Sequence, residues 1–124
     1  MPWIYRQSTG RLTRNSVDGP LVDIGYSGKA EGKNKPDMQH VPGTGPLPRG
    51  KYRIGPPFHH GHAGPYSMRL TPHPGTQTFG RSGFLIHADS IASPGNASGG
   101  CIVLPLTARK QIWNSGDHEL EVMK

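Results

Sequence analysis

The chain contains a single cysteine, Cys101, and a histidine, His87, lies fourteen positions before it. His87 ends one short apolar segment, residues 83–87, and Cys101 opens another, residues 101–104. A thiolate attacks a carbonyl carbon far better than a thiol does, and a neighbouring imidazole lowers the cysteine pKa and accepts its proton. If the two segments are neighbouring strands, the pair predicts a nucleophile and a general base for acyl transfer.

Two glycines, Gly99 and Gly100, directly precede Cys101. Because they lack a Cβ, their backbone N–H groups can approach a substrate carbonyl and form an oxyanion hole. The alternative is that Cys101 is a small buried apolar side chain and His87 a hydrogen-bonded histidine at a strand end. The Ser98-Gly-Gly-Cys turn between two apolar segments favours the acyl-transfer site.

Three further polar residues are candidates for the substrate site. Asp89 and Ser90 follow His87 closely, and they either orient the imidazole as the third member of a triad or bond to their own loop backbone. Arg81 is a candidate for binding a substrate carboxylate, because guanidinium groups bind carboxylates bidentately; the alternative is a solvated loop arginine. Together with Gly99, these three are the predicted substrate-binding residues.

Three histidines, His59, His60 and His62, lie in a Gly- and Pro-rich segment, residues 56–65. They lack the helical i, i+4 spacing of many zinc sites, and no Cys or Glu stands beside them. We therefore predict a loop with solvated histidines, no metal and no cofactor. A zinc-dependent peptidase that uses these side chains remains an alternative.

The elements that position these residues are predicted to be β-strands, because 18 glycines and 13 prolines exclude a helical bundle. Alternating apolar residues predict half-buried strands, and the two continuously apolar segments predict central ones. The strands are predicted at 3–8, 11–14, 21–26, 50–54, 66–70, 83–87, 101–104 and 119–123. Thr107 is predicted to cap one short helix, residues 108–114. The aperiodic segment 27–49 is predicted to be a functional loop or lid.

The net charge of +6 favours an anionic partner such as a nucleic acid, a membrane surface or a bacterial cell wall. The few aromatic residues are not interleaved with basic ones, so we expect no nucleic-acid partner. No apolar run approaches the roughly 20 residues of a membrane span. Residues 1–7 lack a basic segment followed by an apolar one, which predicts synthesis in the cytoplasm without a signal peptide.

The segment around the cysteine resembles the signature of the L,D-transpeptidase (YkuD-like) family, a strand histidine followed by a Ser/Thr-His-Gly-Cys turn. The matching residues are His87, Ser98, Gly100 and Cys101. Residues 45–54 resemble the family's TPTGxYxI strand. The chain is also similar to a compact branch, the L,D-transpeptidase-like effectors delivered by type VI secretion, and this similarity rests on residues 26–28, 32–34 and 79–87.

The resemblance implies a single β-sandwich-like catalytic domain, residues 1–124, that acts on peptidoglycan stem peptides. Cys101 is then the nucleophile and His87 the general base, while Ser98 and Gly100 shape the turn and, with the Cys101 N–H, the oxyanion hole. Attack at the diaminopimelate–D-alanine bond forms a thioester. Water then gives an L,D-carboxypeptidase, whereas a D-amino acid or a second stem gives exchange or cross-linking.

The resemblance also implies an antibacterial effector, delivered to the periplasm of a target bacterium, with an immunity protein and a secretion-apparatus carrier as partners. Two features depart from the family: Gly99 replaces its second histidine, and the spacing from His87 to Cys101 is shorter than in the larger enzymes. The alternative function is a non-catalytic basic cell-wall-binding module in which the cysteine is incidental.

Overall fold

Nine β-strands, one α-helix and two short 3₁₀ helices are found in the computed structural model, which describes residues 2–124. The strands are β1 (Trp3–Arg6), β2 (Arg11–Arg14), β3 (Leu21–Ile24), β4 (Tyr26–Ser27), β5 (Gly50–His60), β6 (Gly64–Pro72), β7 (Leu85–His87), β8 (Ile102–Val103) and β9 (Glu119–Met123). The helix α1 is Leu106–Asn114, and the 3₁₀ helices are Ala30–Gly32 and Pro36–Met38. No helix in this described part is long and apolar enough to cross a bilayer.

The strands form one sheet in the order β3-β2-β1-β9-β5-β6-β7-β8-β4. The two outermost strands, β3 and β4, are separated in the chain by Gly25 alone, so the sheet curves until its two edges meet there. A Cβ on Gly25 would lie 2.0 Å from the carbonyl oxygen of Val103. The N–H of Gly25 also donates to the carbonyl of Gly10 at 2.8 Å. Only a glycine fits this junction.

The curved sheet encloses one apolar core that draws side chains from strands far apart in the sheet order, and α1 contributes to the same core. Burying each large apolar side chain contributes about 1.5–3 kcal/mol. The largest fully buried side chains are Trp3, Tyr5, Leu12, Leu47, Tyr52, Ile54, Met68, Ile86, Ile102, Leu104, Ile112 and Leu120.

The predicted fold class, mainly β with one short helix near the C-terminus, is confirmed. The sandwich-like arrangement is made by one continuous sheet that curves over the core. The helix begins two residues before its predicted start, because Pro105 occupies the N-cap with an extended backbone, φ −66° and ψ 161°. The predicted cap at Thr107 is wrong, since this residue lies within the first turn.

The prediction of a histidine-bearing loop over residues 56–65 is also wrong. Strand β5 extends to His60 and β6 begins at Gly64, so the two form a long hairpin. Register shifts between Ile54 and Pro57, and again between Phe58 and His60, interrupt the pairing. Irregularities of this kind allow prolines within a strand, so the Pro-Pro pair did not mark the end of β5.

The segment 27–49 carries both 3₁₀ helices and is attached to the body of the domain. The side chain of Leu47 is fully buried. The side-chain amide of Gln7 donates to the carbonyl of Leu47 at 2.9 Å, and the N–H of Lys29 donates to the carbonyl of Thr44 at 2.9 Å. The Leu47 contacts hold the segment against the sheet, whereas the Lys29–Thr44 bond lies within the segment.

Candidate active site

Strands β7 and β8 are parallel neighbours, with Ile86 opposite Ile102. This register places Cys101 opposite Leu85, and the Leu85 N–H donates to the Cys101 sulfur at 3.3 Å. Because side chains alternate along a strand, His87 and Cys101 project from the same face of the sheet. The two isoleucines project from the opposite face into the core. The predicted pair therefore lies on one face of the sheet.

Two cavities meet at Cys101. The larger cavity, about 750 Å³, is lined by His87, and the smaller cavity, about 150 Å³, is lined by Arg81. Gly83, Gly99 and Cys101 line both. Cys101 thus borders two spaces that a ligand could enter.

The turn before the cysteine is held by buried serine hydroxyls. Ser98 Oγ accepts the N–H groups of Gly28 at 2.9 Å and Gly100 at 3.2 Å, and it donates to the carbonyl of Cys101 at 2.6 Å. Ser27 Oγ donates to the same carbonyl at 2.8 Å. Ser98 therefore folds the turn and fixes the cysteine backbone. Ser27 also fixes the cysteine backbone. The resemblance over residues 26–28 includes Ser27, but the sequence alone predicts no role for it.

The guanidinium of Arg81 is buried beside the cysteine turn. It donates hydrogen bonds to four backbone carbonyls, those of Gln39, Gly45, Pro46 and Gly99. A Cβ on Gly100, whose φ is +137°, would lie 2.2 Å from Arg81 Nη2. Gly100 is therefore required for this approach. These bonds of Nη1 and Nη2 tie the segment 27–49 to the turn, and Arg81 also lines the smaller cavity beside Cys101.

His87 is oriented by the backbone. Its Nδ1 lies 2.6 Å from the carbonyl oxygen of Ala88. A carbonyl only accepts, so Nδ1 carries the proton and Nε2 has the free lone pair in the neutral ring. This is the tautomer that a general base needs, and the Ala88 carbonyl selects it.

Asp89 organises the loop after His87. Its carboxylate accepts the Tyr26 hydroxyl at 2.7 Å and the Ser90 N–H at 2.8 Å. The Tyr26 oxygen in turn accepts the N–H of Ala97 at 2.9 Å. Burial, and then the hydrogen bond to Asp89, raise the pKa of Tyr26 to about 12, so its hydroxyl stays a donor. Tyr26 therefore links Asp89 to Ala97, at the two ends of the loop that forms one wall of the larger cavity.

The surroundings of Cys101 and His87 favour the uncharged form of both side chains. Burial lowers the pKa of His87, although the hydrogen bond to Ala88 acts in the opposite direction. Burial raises the pKa of the Cys101 thiol, while the Leu85 N–H and the charges of Arg81 and Arg69 act in the opposite direction. Both shifts favour the uncharged forms, a thiol at Cys101 and a neutral imidazole at His87.

The alkylation rate of Cys101 tests this protonation state. Because the thiol pKa is raised, we expect the rate with iodoacetamide to rise about tenfold per pH unit between roughly pH 7 and pH 8.5. The rate is followed by mass spectrometry of the intact protein. His87→Asn is expected to leave this slope unchanged. A rate that is already at a plateau near pH 6 would instead indicate a thiolate–imidazolium pair.

The three clustered histidines separate in the structure. His60 and His62 line the larger cavity together with His87, whereas His59 is exposed outside it. Within residues 2–124, no group of three or more His, Cys, Asp or Glu side chains is arranged to hold a metal ion.

Comparison with known families gives a match over most of the chain. The model of the family described as the Tlde1 domain matches residues 23–124. The match includes α1, most of the sheet and every candidate site residue, whereas β1 and β2 precede it. No curated protein matches the chain significantly.

Proposed function

The chain belongs to the Tlde1-domain family of type VI secretion effectors that target peptidoglycan, and from this we propose that it is a cysteine-dependent acyltransferase of peptidoglycan stem peptides. The observation that carries the proposal is the geometry of one face of the sheet. There the Cys101 thiol and the His87 imidazole, with its Nε2 lone pair free, line one cavity. The bond attacked is the one between diaminopimelate and the terminal D-alanine.

The first half of the reaction forms a thioester. His87 Nε2 accepts the thiol proton as the Cys101 sulfur bonds to the carbonyl carbon of diaminopimelate. The Gly100 N–H is already bonded to Ser98 Oγ, whereas the Cys101 N–H donates to no acceptor within residues 2–124. The Cys101 N–H is therefore the donor available for the oxyanion. As the carbon–nitrogen bond breaks, His87 returns the proton to the amine of the departing D-alanine.

The second half resolves the thioester. If water attacks, His87 accepts a proton from it, the free diaminopimelate carboxyl is released and the thiol is restored. This outcome is an L,D-carboxypeptidase reaction. If the amine of a D-amino acid or of a second stem attacks, the products are an exchanged or a cross-linked stem.

Several properties of the chain support an effector role. The net charge of +6 suits an anionic wall. Stem peptides lie in the periplasm. To reach this substrate, the protein must be delivered into a target bacterium by the secretion apparatus and its carrier. A toxin with this substrate also requires an immunity partner in the producing cell.

We propose that the whole chain, residues 1–124, is the catalytic domain, because Trp3, Tyr5 and Leu12, which precede the family match, belong to the same core.

Mass spectrometry of a purified stem tetrapeptide tests this function. With the intact protein, we expect loss of the terminal D-alanine, and its replacement by D-methionine when D-methionine is added. Activity is expected to survive a chelator and to be lost after alkylation by iodoacetamide. If the folded protein leaves the tetrapeptide unchanged under all conditions, the acyltransferase function is wrong and a wall-binding module is favoured.

A further inference from the structure

The terminal carboxylate of the departing D-alanine requires a partner. Arg81 lines only the smaller cavity, and its Nη1 and Nη2 already donate to backbone carbonyls. A different set of donors lines the larger cavity. One wall of this cavity is the tip of the β5–β6 hairpin, which contributes His60 and His62.

The backbone of the hairpin tip selects the tautomer of His60. Its Nδ1 accepts the N–H groups of His62 and Ala63, each at 3.1 Å. In the neutral ring the proton must therefore be on Nε2. Since no other hydrogen bond of this side chain occurs within residues 2–124, Nε2–H is a free donor on the cavity wall.

Anionic groups do not compete for these donors. Asp89 is the one carboxylate among the described residues that line the larger cavity. Its oxygens are already occupied by the Tyr26 hydroxyl and by the N–H groups of Ser90 and Gly95. The His60 Nε2–H is a free donor of the hairpin wall, and a donor of this kind is complementary to a carboxylate.

The chemistry places the leaving group on this side of the sulfur. His87 must protonate the departing amine, so the amine nitrogen lies within hydrogen-bond distance of His87 Nε2. In an α-amino acid the carboxylate is attached to the carbon next to that nitrogen. It therefore enters the cavity that His87 shares with His60. When His60 is protonated, its charge contributes to lowering the pKa of His87.

We infer that His60, assisted by His62, binds the terminal carboxylate of the D-amino acid that leaves the stem. In exchange, the same site binds the carboxylate of the incoming D-amino acid. This inference rests on the proposed function, because it assigns one half of that substrate to one wall of the site. It also implies that a substrate without a free terminal carboxylate is a poor one.

The kinetic test compares the stem tetrapeptide with its C-terminal amide. For the intact protein, we expect kcat/KM to be about tenfold or more higher for the carboxylate form, as for a charge-assisted hydrogen bond. His60→Asn keeps an acceptor where Nδ1 holds the hairpin turn and removes the Nε2 donor. In this variant, the ratio of kcat/KM for the carboxylate peptide to kcat/KM for the amide is expected to fall towards one. Adding His62→Ala should bring this ratio still closer to one. His59→Ala is the matched control and should retain the full preference.

A binding measurement separates this inference from the proposed function. Calorimetry with Cys101→Ala protein gives the Kd of both tetrapeptides without turnover, and adding His60→Asn should abolish the difference between them. Equal Kd values for the two peptides, or a difference that survives His60→Asn, would overturn the inference. If the intact protein processes neither peptide while the binding preference and its loss are observed, the inference holds and the acyltransferase function fails.

Discussion

Replacing Cys101 with alanine is expected to abolish D-alanine release from the stem tetrapeptide, with a loss of roughly 10⁴-fold or more in kcat. The reason is that the variant retains the cavity and His87 but has no atom that can form the thioester. No second thiol can substitute, because the chain has one cysteine. The measurement is mass spectrometry of the tetrapeptide over time, with detection of the acyl-enzyme in the intact protein.

The same variant is expected to fold normally. The sulfur makes two weak contacts, one with the Leu85 N–H at 3.3 Å and one with the Gly83 carbonyl at 3.8 Å. Removing it should therefore cost about 1 kcal/mol of unfolding free energy. Ser8→Ala is a matched control, since Ser8 is exposed and lines neither cavity, and it should retain activity. If Cys101→Ala retained more than about a tenth of the activity, the nucleophile would have to be another group.

Replacing Arg81 with alanine is expected to have the largest effect on stability among the site residues. The change removes a buried guanidinium and leaves the carbonyls of Gly45, Pro46 and Gly99 without their donor. Losing hydrogen bonds to a charged group at a buried position costs about 3–5 kcal/mol here. For a domain of this size, we expect the Tm to fall by roughly 10 °C or more.

The activity of Arg81→Ala is expected to fall as well, because the guanidinium positions the turn that carries Cys101 and its charge favours the thiolate. Arg53→Ala is the matched control: Arg53 is an exposed arginine on β5, and its removal should change the free energy of unfolding by about 0.5 kcal/mol or less. Thermal denaturation and D-alanine release are measured on both variants. An Arg81→Ala protein with the Tm of the control would contradict the tie between the segment 27–49 and the turn.

Much of the fold was predictable where the signal is local. Strand β9 lies at the predicted residues, where the buried Leu120 and Val122 alternate with less buried neighbours as in a half-buried strand. Strand β2 also lies at the predicted residues, although two consecutive side chains of it are buried. The break in the predicted strand 21–26 and the extension of β5 to His60 were missed. In both cases a distant strand decides the outcome, through the close approach of Val103 to Gly25 and the pairing of β5 with β6 across register shifts.

The sequence alone determined the mainly β class and the nucleophile candidate, because glycine and proline content, side-chain periodicity and a single cysteine are properties of the chain itself. Only the tertiary structure decided how the site is held. Ser27 reaches Cys101 across 74 positions, and Arg81 reaches Gly45 across 36. The acceptors of the Arg81 guanidinium and of the Ser27 hydroxyl are backbone carbonyls, which are chemically the same at every position. The tertiary fold brings these distant groups together, and no residue type encodes that.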